Sequence, residues 1–339
     1  MMPDELDKLS KDTPDLDIDG LYAIASGFMA AKMLFAGCEI GLFAALADGP
    51  RTLDEIEAAI NVPRRTLRQV ADVMVRLRVL RRQGDRYQNT PIAQVHLTGR
   101  TPADLRPGYR FFDRIVYRAW QGFIPAVRTG RTPEMGHVWT PEEARIFSEG
   151  VEAFTAQGAR NLVARYDFGP HRRIADLGGG TGSFLEMILG RFPHMRATLL
   201  ELPEPLVVAR EHLSRSPVRD RIDLVEGDMF FDELPQDHDV FLVSAIIHFN
   251  SPERNRTLFR RIREHVKPGA RLLLVDLFVN PEKTDPYLAT LLGGYFSLLS
   301  DEGDVYSVVE AQGWLEETGW KFCGHTPFDA TSLVVGEAV

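Results

Sequence analysis

The chain has 339 residues, of which 44% are hydrophobic and 26% charged, a balance typical of globular proteins and not of disordered, collagen-like or coiled-coil chains. This length favours two domains. The formal charge of -9 argues against a protein built mainly to hold nucleic acid, and the two cysteines, Cys38 and Cys323, are too few for a disulfide framework or a cysteine-based zinc site.

Neither a membrane span nor a secretory signal is expected from the sequence. No stretch approaches about 18 uninterrupted apolar residues, the length that a membrane helix needs. The first 20 residues are acidic and lack an apolar core, unlike a signal peptide. These features predict a cytoplasmic protein that has no membrane partner.

The first half of the chain is predicted to be mostly helical. A capping box begins at Thr52, because its side chain can accept from the third amide of a helix while Glu55 reaches back. Residues 61–63 break this helix, and a second one carries an apolar face over 67–80. A turn at 84–85 then leads into a short hairpin. Helix, turn, helix and hairpin is the order of a winged helix-turn-helix.

From about residue 172 the pattern changes to short apolar runs that alternate with helices. Five such runs lie at 174–177, 197–200, 222–225, 240–243 and 272–275. This alternation predicts an α/β fold with a Rossmann-like, doubly wound parallel sheet and helices on both faces. Two strand-like runs, 321–327 and 332–339, have no room for a helix between them, which predicts an antiparallel C-terminal hairpin at one sheet edge.

A glycine-rich turn follows the first of these strands. Asp176 precedes Gly178, Gly180 and Gly182 in a G-x-G-x-G pattern that opens a helix. Glycines allow positive φ and let the backbone approach a bound molecule closely. A dinucleotide fold would have its third glycine at position 183, where this chain has Ser183. The turn therefore indicates a different cofactor site, with a purely structural turn as the alternative.

Two more acids end neighbouring strands. Glu201 ends the second strand, where a carboxylate can take both hydroxyls of a ribose, and Asp228 ends the third, followed by Met229 and Phe230. Open α/β sheets bind ligands outside the carboxyl ends of their strands. Each acid alone also suits a solvated side chain or a helix cap, but three strand ends in series favour a nucleoside site.

These residues resemble the class I S-adenosylmethionine-dependent methyltransferases, and specifically the small-molecule O-methyltransferase family of plants and of bacterial natural-product pathways. The resemblance covers nearly the whole chain. Residues 41–50 and the winged-helix segment resemble the family's dimerisation domain, and Trp120 with 127–130 resembles its linker helices. The chain also resembles the family's cofactor and catalytic motifs, in the family's order, at 174–182, Glu201, 227–230, His248 and 267–269.

The resemblance implies S-adenosyl-L-methionine as the cofactor and no metal. The cofactor-binding residues expected here are Asp176, Gly178, Gly180, Glu201, Asp228, Met229 and Ser244. The residues of the glycine turn would line the methionine end. The acid of the second strand would hold the ribose, and the residues after the third strand would hold the adenine.

The resemblance also gives His248, after the fourth strand, the role of general base. A lone His there otherwise suits a satisfied core histidine, whereas a neutral imidazole suits taking a proton from a phenol. Asp276, 28 residues further on, matches the acid that orients the base, and Asp304 stands beside the position of a second family acid. Where the family often has His-Asp-Trp, this chain has Phe249-Asn250 after the His.

The acceptor implied by the resemblance is an aromatic or polyketide-like small molecule. Its expected contacts are aromatic side chains of the linker helices and of the segment before the last helix: Trp120, Phe123, Phe154, Tyr295 and Phe296. An aromatic stripe also suits a protein core, so some of these residues, not all, are expected to touch the acceptor.

The resemblance predicts a homodimer whose chain has three parts. A helical, winged-helix dimerisation domain spans 1–105, linker helices that contribute to the acceptor pocket span 106–165, and the catalytic domain spans 166–339. The expected reaction is metal-independent methyl transfer to a hydroxyl of the acceptor. The alternative on the same fold is C-methylation, or a non-methylating hydroxylation or decarboxylation.

A second alternative is a DNA-binding regulator. Residues 64–86 carry eight arginines, and a basic second helix of a helix-turn-helix can lie in a DNA groove. The chain as a whole is acidic, however, and arginines are common on solvated helix faces. The sequence therefore favours the enzyme, and nucleic acid is not expected as a partner.

Overall fold

The computed structural model describes residues 15–132 and 140–339 of the chain. Residues 1–14 of the predicted dimerisation domain and 133–139 of the predicted linker helices lie outside this range. Most of the acidic N-terminal stretch that argued against a signal peptide therefore lies outside it as well.

The chain divides into two compact units. The first comprises Met1–Tyr117 with Glu149–Ala153, and the second comprises Arg118–Ser148 with Phe154–Val339. The three-part division predicted from the sequence, with boundaries after 105 and 165, stays a prediction.

The first unit contains six helices among its described residues and one small sheet. The helices are α1 (Ile18–Glu39), α2 (Leu42–Ala45), α3 (Leu53–Ile60), α4 (Arg64–Arg76), α5 (Pro91–His96) and α6 (Arg106–Phe111), the last continued by a π-helical turn (Phe112–Val116). The strands β1 (Arg51–Thr52), β2 (Leu80–Gln83) and β3 (Arg86–Asn89) pair antiparallel in the order β1-β3-β2. The predicted order of helix, turn, helix and hairpin is confirmed.

The ends of α3 and α4 follow from local chemistry. Thr52 and Glu55 form the predicted capping box. The Glu55 amide donates to the Thr52 hydroxyl at 3.2 Å, and the Thr52 amide donates to the Glu55 carboxylate at 2.7 Å. The prediction of one helical face over 67–80 is wrong at its end. α4 ends at Arg76, Arg78 takes a left-handed φ of 60°, and Leu80 begins β2. The apolar spacing continues past the helix because Leu80 still points into the same core.

The basic character of residues 64–86 is partly neutralised by acids of the same unit. Four of the eight arginines form ion pairs: Arg64 with Asp54, Arg68 with Asp72 at 2.9 Å, Arg82 with Asp72 at 3.5 Å, and Arg86 with Glu55 at 3.0 Å. This arrangement is that of a solvated, ion-paired face.

Helix α1 is long and apolar enough, by length and composition alone, to cross a membrane. This helix contains no long uninterrupted apolar run, because Lys32 interrupts its apolar stretch. Core helices of soluble proteins have the same length and composition. In this unit α1 leaves many apolar side chains exposed, among them Ile18, Leu21 and Tyr22.

The second unit contains helices on both sides of a large sheet. Its helices are α7 (Tyr117–Ala119, whose first residue belongs to the first unit), α8 (Phe123–Thr129), α9 (Pro141–Arg165), α10 (Ser183–Arg191), α11 (Pro203–Leu213), α12 (Pro252–His265), α13 (Tyr287–Phe296) and α14 (Val308–Glu317). Its strands are β4 (Arg173–Leu177), β5 (Arg196–Glu201), β6 (Ile222–Glu226), β7 (Val240–Ser244), β8 (Arg271–Asp276), β9 (Phe278–Val279), β10 (Tyr306–Ser307), β11 (Trp320–Pro327) and β12 (Ser332–Ala338).

Seven of these strands form one sheet in the order β11-β12-β8-β7-β4-β5-β6. The strands from β8 to β6 in that order pair parallel, whereas β12 runs antiparallel to both β8 and β11. The doubly wound sheet with an antiparallel C-terminal hairpin is therefore confirmed. Because the five strands from β8 to β6 are parallel, their carboxyl ends meet at one edge.

The sheet is buried on both faces, as its continuous apolar strands require. Along β7, Val240 and Leu242 belong to the core on one face, while Phe241 and Val243 belong to the core on the other. This alternation follows from the two-residue repeat of a strand. It leaves the strand ends as the places where polar side chains reach open space.

Candidate active site

The glycine turn joins β4 to α10 with a backbone that only glycine adopts easily. Gly178, Gly180 and Gly182 have φ angles of 70°, 57° and 80°. The amide of Gly178 donates to the oxygen of Leu200 at 2.8 Å, which ties the turn to β5.

Side chains that follow two other strands meet this turn. A β-carbon added to Gly178 would lie 2.8 Å from the terminal carbons of Met229 and Ile246, which follow β6 and β7. A β-carbon on Gly180 would meet nothing within 4 Å. The turn therefore has walls on one side and open space at Gly180, where a ligand can approach the backbone.

Asp176 lies directly against the glycine turn, and its carboxyl group is not hydrogen-bonded within the described part of the chain. Its side chain is fully buried, neither carboxylate oxygen has a hydrogen-bond partner among the described residues, and a β-carbon on Gly179 would overlap with it. Burial, with a smaller contribution from the nearby charge of Glu201, raises the pKa of Asp176 to about 8. A positively charged group bound near this site would stabilise the ionised form.

Glu201 connects the end of β5 to the glycine turn. Its Oε2 accepts from the amide of Gly180 and its Oε1 accepts from the amide of Leu202, each at 2.8 Å. Burial raises the pKa of Glu201, and these two amide bonds oppose that rise. A carboxylate has about four lone-pair sites, so each oxygen can accept a further donor such as a ribose hydroxyl.

Asp228 uses one of its oxygens to shape the loop after β6. Its Oδ1 accepts from the amide of Phe230 at 2.7 Å, and its own amide donates to Asp232 at 2.8 Å. The side chain is half-buried, and this turn fixes the orientation of its carboxylate.

Two arginines of α12, which the sequence analysis did not select, hold this loop. Arg261 donates to the oxygens of Met229 (3.2 Å) and Asp232 (2.6 Å), and the guanidinium of Arg254 lies 4.0 Å from the centre of the Phe230 ring. Their spacing of seven residues, which brings both to one face of a helix, was the available signal.

His248 and Asp276 form the central polar pair of the site. The Nδ1 atom of His248 lies 2.6 Å from Oδ1 of Asp276, and both side chains are buried. The same carboxylate accepts from the amides of Ile246 and Ile247 at 3.1 Å and from Leu277 at 2.7 Å. A carboxylate that accepts at Nδ1 assigns the proton to that nitrogen and leaves Nε2 as the proton acceptor.

The carboxylate of Asp304 has hydrogen-bond partners other than the imidazole. Its carboxylate accepts from Lys283 and from the amide of Val305, each at 2.8 Å. Its contact with His248 is through the backbone, since the Asp304 amide donates to the His248 oxygen at 3.0 Å. Lys283 gave no signal in the sequence, because a lone lysine in a loop has no periodic or motif context.

The two residues that differ from the family pattern lie beside the base. The Phe249 ring centre is 4.3 Å from that of His248, tilted by 53°. Asn250 is buried and donates to Asn255 at 3.2 Å. Ser244, the last residue of β7, is also buried and precedes this loop.

Four of the five predicted acceptor contacts lie on α13 or pack against it. Trp120 and Phe123 lie 4.6 Å apart and pack against Gly294 of α13, whose added β-carbon would lie 3.0 Å and 3.3 Å from them. Phe296 stacks on His248. Tyr295 is buried beside it, and Phe154 is half-buried on α9.

The residues fit S-adenosylmethionine as a ligand. The orphaned carboxylate of Asp176 suits a cofactor that carries positive charge, and the space above Gly180 suits close backbone contact. Glu201 and Asp228 add two carboxylates at adjacent strand ends. Within 15–132 and 140–339, no three His, Cys, Asp or Glu side chains are grouped as metal ligands.

The chain matches two protein families in sequence. Residues 129–321 match the O-methyltransferase domain, and residues 22–99 match the O-methyltransferase dimerisation domain. A similar curated protein is the tetracenomycin polyketide synthesis 8-O-methyl transferase of Streptomyces glaucescens, with 30% identity over 318 residues, or 91% of this chain and 94% of that protein.

Solved structures show the same fold. Human N-acetylserotonin methyltransferase in complex with SAM has a TM-score of 0.87 and 24% identity, covering 96% of this chain and 99% of that one. PigF with SAH has a TM-score of 0.83 and 25% identity, covering 95% and 100%.

Proposed function

Because this chain belongs to the O-methyltransferase family and takes its methyl group from S-adenosylmethionine, we propose that it methylates a hydroxyl of an aromatic small molecule with His248 as the general base. The observation that carries the proposal is the hydrogen-bonded pair of His248 and Asp276, whose loop packs against the glycine turn through Ile246.

The chemistry needs little more than placement and a base. The sulfonium of S-adenosylmethionine supplies an activated methyl group and its own leaving group. Asp276 holds the Nδ1 proton, so Nε2 of His248 takes the proton from the acceptor hydroxyl as its oxygen attacks. Placement contributes roughly 7–11 kcal/mol to such reactions, and a positioned base about 10²–10⁴-fold in rate.

Seven residues are proposed to hold the cofactor: Asp176, Gly178, Gly180, Glu201, Asp228, Met229 and Ser244. Support comes from the backbone freedom of the glycines, the unpartnered carboxyl group of Asp176 and the remaining lone pairs of Glu201. The fixed turn after β6 supports an adenine site beside Met229.

The acceptor is proposed to lie against aromatic side chains. Trp120 and Phe123 pack on α13, the helix that ends at Phe296 beside the base, which supports a flat and largely apolar acceptor. The name of the Streptomyces relative refers to polyketide synthesis, which favours an aromatic polyketide-like molecule.

Product analysis with defined acceptors tests this proposal. We expect methyl transfer to N-acetylserotonin, 1,3-dihydroxynaphthalene or 1,8-dihydroxyanthraquinone, with mass spectrometry and NMR locating the new methyl group on oxygen. His248→Ala should lower turnover at least tenfold while calorimetric binding of S-adenosylhomocysteine persists. Full turnover in the variant would exclude His248 as the base, and a methyl group on carbon would exclude O-methylation of these acceptors.

We propose that the dimerisation domain joins two copies of the chain through α1. The large apolar side chains exposed on this helix recur at spacings of three and four residues that keep them on one broad face: Ile18, Leu21, Tyr22, Ile24, Phe28 and Met29. We expect light scattering to give a dimer for the wild type and a monomer for Leu21→Asp/Phe28→Asp. Val207→Asp, an equally exposed apolar position on α11, is the control. A wild-type monomer at micromolar concentration would contradict the proposal.

The sequence division at 105 and 165 is proposed as the functional one, with the middle part lining the acceptor pocket. A cytoplasmic location is also proposed. It is supported by the two cysteines, Cys38 half-buried and Cys323 exposed, which are not joined in a disulfide.

A further inference from the structure

The loop that carries His248 joins β7 to α12 and begins with a strained residue. Ala245 has a left-handed φ of 54°, which costs free energy for a residue with a side chain. Asp276 holds two amides at this end of the loop. The carbonyl groups of the loop need hydrogen-bond donors from elsewhere if the loop is to keep this strained conformation.

Three successive carbonyls of this loop accept hydrogen bonds from a single segment, residues 296–306. The pairs are the Asp304 amide with the His248 oxygen at 3.0 Å, the Ser300 hydroxyl with the Phe249 oxygen at 2.9 Å, and the Tyr306 hydroxyl with the Asn250 oxygen at 2.6 Å. The loop therefore has partners on both its amide and its carbonyl sides.

The same segment also covers the imidazole itself. The rings of Phe296 and His248 stack with centres 3.9 Å apart and planes 19° from parallel. Because Asp276 fixes the Nδ1 edge and Phe296 fixes one face, rotation of the imidazole about its Cβ–Cγ bond is blocked in two ways. The direction of Nε2 is then determined.

The segment is itself firmly held. Tyr306 is buried, pairs with Phe278 in the short β9–β10 sheet and packs edge-on against Trp314 at 4.8 Å. The ion pair of Lys283 with Asp304 adds a further contact at 2.8 Å.

We propose that residues 296–306 clamp the loop of the base, and that Phe296 and Tyr306 are positioning residues of methyl transfer that act through His248. This inference rests on the proposed function of His248. It gives Phe296 a role on the base in place of the acceptor contact expected from the sequence. A displacement of about 1 Å in such a group can cost about 100-fold in rate.

Proton NMR tests the clamp without any acceptor. A buried proton in a 2.6 Å bond between Nδ1 and a carboxylate resonates far downfield of the amides, and its loss in His248→Ala assigns it. We expect Phe296→Leu and Tyr306→Phe to shift or broaden this resonance. Tyr87→Phe is the matched control, because it removes a hydroxyl bonded to Asp72 at 2.6 Å in the first unit.

Kinetics with the fastest of the three phenols gives the second readout. Phe296→Leu should lower kcat about tenfold or more, while acceptor KM and cofactor affinity stay within about twofold. Phe259→Leu, an equally buried ring on α12, should leave kcat unchanged. In the His248→Ala background, measured by single turnover, Phe296→Leu should cause no further loss, because two residues that act through one group are not additive.

Each outcome decides between the proposals. The clamp is overturned if the downfield resonance is absent from the wild type or unchanged in both variants. It is also overturned if Phe296→Leu lowers turnover equally with and without His248. A raised acceptor KM at unchanged kcat assigns Phe296 to the acceptor pocket instead. Full turnover in His248→Ala overturns the proposed base, whereas normal turnover in Phe296→Leu beside an impaired His248→Ala overturns the clamp alone.

Discussion

Replacement of Asp276 by Asn should impair the site far more than its size suggests. The Asp276 carboxylate accepts four hydrogen bonds, from the amides of Ile246, Ile247 and Leu277 and from His248 Nδ1. In the Asp276→Asn variant one oxygen is replaced by an NH₂ group, which faces two donors whichever way the amide turns. Two bonds are lost and two buried donors are left unpaired, at about 1–3 kcal/mol each, so the free energy of unfolding should fall by about 2–6 kcal/mol.

The effect on turnover follows from the same geometry. If the NH₂ group faces His248, it favours the tautomer with the proton on Nε2, which cannot accept a proton from the acceptor. If it faces the two amides, the loop that carries His248 loses its anchor. We therefore expect kcat to fall about 10²–10⁴-fold, the range of a positioned base. The assays are steady-state kinetics with a phenolic acceptor and denaturant unfolding.

Asp239→Asn provides the matched control. The Asp239 carboxylate accepts from the amides of Arg172 and Arg173 at 2.8 Å and 2.9 Å, at the amino ends of the strands, away from the site. This variant should lose stability and keep its kcat. Turnover of Asp276→Asn within threefold of the wild type would refute the assignment of Asp276 as the residue that orients the base.

Two further predictions concern the cofactor and the acceptor. Burial raises the pKa of Asp176 to about 8 without ligand, so below that pH the carboxyl group must lose its proton before it can attract a cationic cofactor. The affinity for S-adenosylmethionine should therefore rise by up to about tenfold per pH unit towards pH 8 and level off above it. Calorimetry should show this dependence lost in Asp176→Asn, and equal slopes would contradict it. Gly294→Val should displace Trp120 and Phe123 and raise acceptor KM at unchanged cofactor affinity; an unchanged KM would remove both rings from the acceptor pocket.

Local sequence patterns were sufficient for the parallel strands, the C-terminal hairpin and the order of the winged-helix elements. Apolar runs of four residues gave the five parallel strands, because a strand buried on both faces must be apolar throughout. Thr52 with Glu55 gave a helix start, since both capping bonds form within four residues. The glycine turn and the acids at strand ends were equally visible, because each lies at a fixed position relative to its own strand.

The sequence by itself also paired His248 with Asp276, through a family resemblance, and the structure has these side chains 2.6 Å apart. Only the tertiary structure decided what Asp304 and Phe296 contact. The carboxylate of Asp304 lies on Lys283, and the ring of Phe296 lies on the imidazole. These contacts join segments about 20 to 50 residues apart, and no local periodicity encodes their packing. Residue type alone therefore predicted that an acid and an aromatic side chain belong to the site, but not which residues they contact.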